Sequence, residues 1–127
     1  MKNDISNRDD LYLIVSDFYK KLLVDAEMQH FFEKFNDSET LEHHLNVLVD
    51  FWDNILFYSG TYNKNAMQPH VKLHQKKPFT KQHFQNWLTS FNQSVDANFE
   101  GNNAHTIKNR ALSIATVMQL KTTNASF

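Results

Sequence analysis

Cysteine is absent from this 127-residue chain, which removes disulfides, thiolate metal sites and cysteine nucleophiles together. Glycine and proline occur twice each, so turns are scarce and helices are favoured. Two glycines also leave no phosphate-cradling loop, and no Gly-x-Ser-x-Gly nucleophile elbow occurs. Charge of one sign is lacking too. Thirteen basic against fourteen acidic residues give a formal net charge of −1, too little to gather nucleic acid or an anionic membrane. The longest uninterrupted apolar run spans residues 11–15, against the ~20 residues of a membrane-spanning helix. The first ten residues are polar, with no apolar signal core. The expectation is a soluble, cytoplasmic protein with no nucleic-acid or membrane partner.

What is present is apolar bulk. Hydrophobic residues make up 41 % of the chain and 11 residues are Phe, enough for one core and the lining of a pocket. No repeat, low-complexity tract or linker divides the chain, so a single domain over residues 1–127 is expected, its ordered core covering roughly residues 8–121. Ser6-Asn7-Arg8-Asp9 reads as a capping box. Leu11, Ile14, Val15, Phe18 and Leu22 then share one helix face, with Tyr19 at its margin. Residues 27–35 read as a second, shorter helix carrying Phe31, Phe32 and Phe35. A long helix is predicted from about residue 37 to 59. Its wheel puts Glu42, His43, Asn46, Asp50, Asp53 and Asn54 towards solvent. Leu41, His44, Leu45, Leu48, Phe51, Trp52, Ile55 and Leu56 turn inward. Thr80 is the expected N-cap of a helix over residues 80–99, with Phe79 and Phe84 as a hydrophobic staple. Gly101 ends that helix, and Asn102 or Asn103 caps the last one, frayed from Thr122. Strand alternation is missing throughout. The predicted fold class is all-α.

Seven histidines invite a metal argument. His70 lies in a short segment with Pro69 before it and Pro78 after it; Pro69 suits a helix start and Pro78 ends the helix. His74 shares its face one turn on. A His-Glu-x-x-His protease site fails, because Val71, Lys72 and Leu73 lie between the two histidines. A ferritin-like di-iron site needs two Glu-x-x-His motifs, and only Glu27-x-x-His30 is present. A haem pocket needs one neutral imidazole, a flat apolar slot and few polar groups over the open coordination position. His70 supplies the first, Phe18, Phe51, Trp52 and Phe84 the second, and the polar tips of Tyr19, His44 and Trp87 the third.

These residues carry a resemblance. Phe18-Tyr19, His44 followed by Phe51-Trp52, Tyr62-Asn63 through His70, Val71-Lys72-Leu73-His74, and His83-Phe84-x-x-Trp87-Leu88-x-x-Phe91 together resemble the third group of truncated haemoglobins. The resemblance covers roughly residues 8–121 and implies a two-over-two helical sandwich around a haem b. It implies His70 as the axial iron ligand, Tyr19 and Trp87 as the distal hydrogen-bonding residues, and His44 as the distal histidine or a gate to the ligand-binding pocket. Phe18, Phe35, Leu48, Phe51, Trp52 and Phe84 complete the expected haem-contacting set. The family's usual Gly-Asn-Pro-Met lead-in is replaced by Lys64-Asn65-Ala66-Met67, so His74 is the alternative ligand.

Three functions follow from this resemblance and its pocket. The first is reversible binding of dioxygen or another diatomic gas (nitric oxide, carbon monoxide) at a pentacoordinate iron, served by a reductase. The second is a haem enzyme acting on peroxide, dioxygen or nitric oxide in the same pocket. The third is a non-haem helical module whose pocket is only a core. Bound dioxygen carries partial negative charge, so the Tyr19 hydroxyl and Trp87 indole N–H would stabilise it as donors.

Overall fold

A computed structural model describes residues 2–26, 28–57 and 80–125, without the side chains of residue 34 and residues 120–125. Among the described residues there are four α-helices and two short 3₁₀ turns: α1 (Arg8–Val24), the turns Gln29–Phe31 and Glu33–Asn36, α2 (Ser38–Phe57), α3 (Lys81–Asp96) and α4 (Asn102–Ala125). The only pairing of strand type among them is an isolated bridge between Asn3 and Phe99.

In α1 the buried residues are Leu11, Ile14, Val15, Phe18, Tyr19 and Leu22, the face expected from the 3.6-residue period. The cap sits one residue later than predicted. Asn7 Oδ1 accepts from the Asp10 N–H at 3.0 Å, while Asp10 reaches back to the Ser6 N–H at 2.8 Å. Asn7 holds the extended backbone of an N-cap, which places Asp10 at the third helical position.

The helix predicted over residues 27–35 is replaced by the two 3₁₀ turns, with Glu27 itself outside the described residues. The reason is spacing. Met28 and Phe31, then Phe32 and Phe35, are three apart and all buried; side chains three apart eclipse in a 3₁₀ turn and share one side.

Asp37 starts α2 by accepting from the Thr40 N–H at 3.0 Å. His43 is exposed and His44 half-buried, as the wheel predicts. Asp53 was expected in solvent but is 7 % exposed, because Arg8 forks between Asp50 at 2.6 Å and Asp53 at 3.1 Å. The charge is covered by a cation from another helix, which no wheel of α2 contains.

Thr80 caps α3 through a reciprocal box: its hydroxyl accepts from the His83 N–H at 3.2 Å, and His83 Nδ1 accepts from the Thr80 N–H at 2.9 Å. Phe79, the other half of the predicted staple, lies outside the described residues. The helix stops at Asp96 and does not reach Phe99, which instead bridges to Asn3.

The N-terminal arm explains both helix ends that sequence reading misplaced. Lys2 Nζ donates to the carbonyl of Asp96 at the C-terminus of α3, and the Asp4 carboxylate accepts from the N–H groups of Asn103 and Ala104 at 2.8 and 2.9 Å. A cation thus meets the negative end of one helix and an anion the positive end of the next. Asp4, rather than Asn102 or Asn103, caps α4, and Asn103 Nδ2 donates to the Ile5 carbonyl at 2.8 Å. The backbone of α4 continues to Ala125, past the fraying predicted from Thr122.

The α1 helix packs on both α2 and α3, α3 packs on α4, and α2 touches α4. Two helices lie over two, the arrangement that the resemblance implies. One core runs between the layers, from Ile5 through Leu11, Ile14 and Val15 to Val95, Ile107 and Ala111. The α4 stripe of Ala104, Ala111 and Ala115 is buried, its small side chains admitting close contact with α3.

Candidate functional site

All four helices contribute to one apolar cavity: Val15, Phe18 and Tyr19 from α1, Leu48, Phe51 and Trp52 from α2, Phe91 and Trp87 from α3, and Ile114 and Met118 from α4. Its volume of about 40 Å³ admits a molecule the size of water or a diatomic gas.

The walls are ordered by aromatic contacts. Phe18 meets Tyr19, Trp87 and Phe91 edge-on, with ring centroids 5.5, 5.5 and 5.2 Å away. Phe91 lies parallel to Trp87, within 7°, and is stacked on Trp52 at 5.5 Å. Edge-to-face and offset-stacked geometries are those favoured by the ring quadrupoles. These contacts fix the orientations of the rings around an almost wholly apolar cavity.

Polarity enters at few points. The Tyr19 hydroxyl lies 2.7 Å from His44 Nε2, joining α1 to α2 through a phenol that is 2 % exposed. Burial pushes the Tyr19 phenol far above its ordinary pKa, so it stays neutral and can both donate and accept. The phenol carries one hydrogen. If His44 Nε2–H donates to Tyr19, that hydrogen is available to the cavity; if Nε2 accepts, His44 takes it. Trp87 is half-buried, and among the described residues none is recorded as accepting from its indole N–H.

Of the site residues expected from sequence, Phe18, Tyr19, Leu48, Phe51, Trp52 and Trp87 line the cavity. His44 stands behind Tyr19, and Phe35 is stacked on His44. Phe84 is not among the lining residues; it is buried with Ala115 and Met118, against Trp87. His70 and His74 lie outside the described residues, as does the segment from residue 58 to 79. Four lining residues were not singled out for the site: Val15, Phe91, Ile114 and Met118. Val15 stood on the apolar face read for the first helix, and such a face alone does not say which of its members border a cavity. Among the described residues no group of three or more His, Asp or Glu is placed to hold a metal ion, and no helix is long and apolar enough to cross a membrane.

The family model described as bacterial-like globin matches residues 3–123. The group 3 truncated hemoglobin ctb of Campylobacter jejuni subsp. jejuni is 27 % identical over 122 residues, which cover 94 % of this chain and 93 % of that protein. The crystal structure of group III truncated hemoglobin from Campylobacter jejuni superposes with a TM-score of 0.84 at 25 % identity, covering 95 % of this chain and 94 % of that one. The family match reaches into every helix described above and includes every residue that lines the cavity. The chain belongs to the bacterial-like globin family, as a haem-binding globin whose likeness within the family is to the truncated haemoglobins of the third group.

Proposed function

We propose that this globin reversibly binds dioxygen or a related diatomic gas at a haem b seated against the aromatic wall, with His70 as the axial ligand. The observation that carries the reading is the placement of polar groups: Tyr19, bonded to His44 at 2.7 Å, and Trp87 border a cavity otherwise lined by apolar side chains. A haem pocket calls for aromatic and apolar walls with a few hydrogen-bond donors, and the lining residues are of these kinds; the segment that carries His70 lies outside the described residues. When bound, the haem supplies a ferrous iron able to take a diatomic ligand.

The protein's own part is positional. Trp87 offers its indole N–H, and Tyr19 offers its phenolic hydrogen when His44 Nε2 is the protonated nitrogen. Phe18, Phe51, Trp52 and Phe91 exclude water, which strengthens a hydrogen bond to a ligand carrying partial charge. The assignment of His70 is supported by its place in the sequence between Pro69 and Pro78 and by the family likeness; His74 is the alternative.

Absorption spectra of the purified protein in the ferric, ferrous and carbonyl states test the reading. A Soret band that shifts on reduction and again on carbon monoxide is expected. No Soret absorption after haem is supplied overturns it. Mixing the oxygenated protein with nitric oxide, and assaying peroxide turnover with an electron donor, would detect an enzymatic use of the same pocket.

A further inference from the structure

His44 is held by more than its bond to Tyr19. The ring of Phe35 is stacked on the imidazole, with centroids 4.5 Å apart and planes 23° from parallel, while Tyr19 meets that imidazole edge-on at 5.1 Å. Phe35 is itself immobilised. It is 6 % exposed, edge-on to Tyr19 at 5.6 Å, and stacked with Phe32 at 6.2 Å. It sits on the 3₁₀ turn Glu33–Asn36, immediately ahead of Asp37, whose carboxylate accepts from the Thr40 N–H and hydroxyl and so starts α2. The turn bearing Phe35 and the helix bearing His44 therefore meet at one capped joint. His44 remains half-buried, so a rotamer turned towards water is open to it if the ring beneath is removed.

We infer that Phe35 is a positioning residue of the pocket: its stacked ring selects the His44 rotamer that reaches Tyr19, and through His44 it sets the direction of the Tyr19 hydroxyl. This rests on the reading of the cavity as a haem ligand pocket. A stacked aromatic pair biases a side-chain equilibrium by roughly two-fold to ten-fold, a degree that favours the Tyr19-facing rotamer without locking it. The same stack cannot be supplied by an aliphatic residue of equal volume.

The test begins with the wild-type haem-loaded chain. Proton NMR of the carbonyl form is expected to show cross-peaks between the Phe35 and His44 rings; their absence overturns the inference without any variant. Phe35→Met then keeps volume and removes the planar ring, and Phe35→Tyr restores it. In Phe35→Met the His44 signals should move to those of a second rotamer, and carbon monoxide association after photolysis should rise two-fold to ten-fold. Phe35→Tyr should return both to wild-type values. A purely structural role would lower the melting temperature of Phe35→Met and leave the His44 rotamer and association rate unchanged, which overturns the inference. So does failure of Phe35→Tyr to rescue. The ring-to-ring cross-peaks are also sought in the haem-free chain, where they stand or fall independently of the proposed ligand. A chain that takes up no haem defeats the functional reading, whereas an inert Phe35 beside a Trp87 variant with altered ligand release defeats only this inference.

Discussion

A Cβ built on Gly101 would stand 2.6 Å from the Cγ of Asp4. The two residues belong to opposite ends of the chain, and their approach lets the Asp4 carboxylate reach the first N–H groups of α4. Gly101 also has φ +135°, in the region that L side chains rarely adopt. Gly101→Ala is therefore expected to lose about 1–3 kcal/mol of stability, from backbone strain and the displaced cap together. Urea denaturation monitored by circular dichroism measures the loss.

Asp4→Ala should cost about 0.5–2 kcal/mol as the loss of a helix cap, and the cost should depend on pH. Burial tends to raise the Asp4 pKa, but hydrogen bonds from the backbone of Asn103, Ala104, Ile5 and Asn102 outweigh it, so the net shift is downward. A carboxyl whose folded pKa is depressed contributes stability that is complete above its unfolded value, about 3.9, and is lost as pH falls through the folded value. The stability gap between wild type and Asp4→Ala is expected to be constant from neutral pH down to about 5 and to close in stronger acid. A gap independent of pH would assign the effect to packing.

Arg8→Ala removes the cation from two carboxylates, of which Asp53 has a side chain only 11 % exposed. Leaving that acceptor without its charged partner should cost about 1–3 kcal/mol. Asp53→Asn in the Arg8→Ala background should recover part of this. The four stabilities of the cycle, measured in urea, give the coupling.

Trp87→Phe keeps the aromatic wall and deletes the indole N–H. A hydrogen bond to a charged group contributes about 1.5–3 kcal/mol, so oxygen release, measured by stopped flow, should accelerate roughly ten-fold to a hundred-fold. Tyr19→Phe should accelerate release by about ten-fold, because the phenolic hydrogen is shared with His44. An unchanged rate would show that His44 holds that hydrogen throughout.

His70→Ala is expected to lose haem or its axial bond, seen as a collapsed or displaced Soret band. An unaltered ferrous spectrum in this variant, with loss on His74→Ala, would transfer the ligand role to His74.

Sequence alone determined the existence of the four α-helices, the buried face of α1, most of that of α2, and much of the aromatic composition of the pocket. Phe18, Tyr19, Trp52 and Trp87 were legible because a helix repeats every 3.6 residues, so burial writes itself into local spacing. The capping of α3 by Thr80 was legible for the same reason: its partner His83 is three residues away. Tertiary structure decided whatever depends on residues distant in the chain. Asp4 over α4, Arg8 against Asp53, and Phe35 beneath His44 are such cases. It also decided that Phe91, Ile114 and Met118 line the cavity. The physical reason is common to all of them. Periodicity reports which side of a helix avoids water, but which neighbour covers that side follows only from how the four helices are laid across one another.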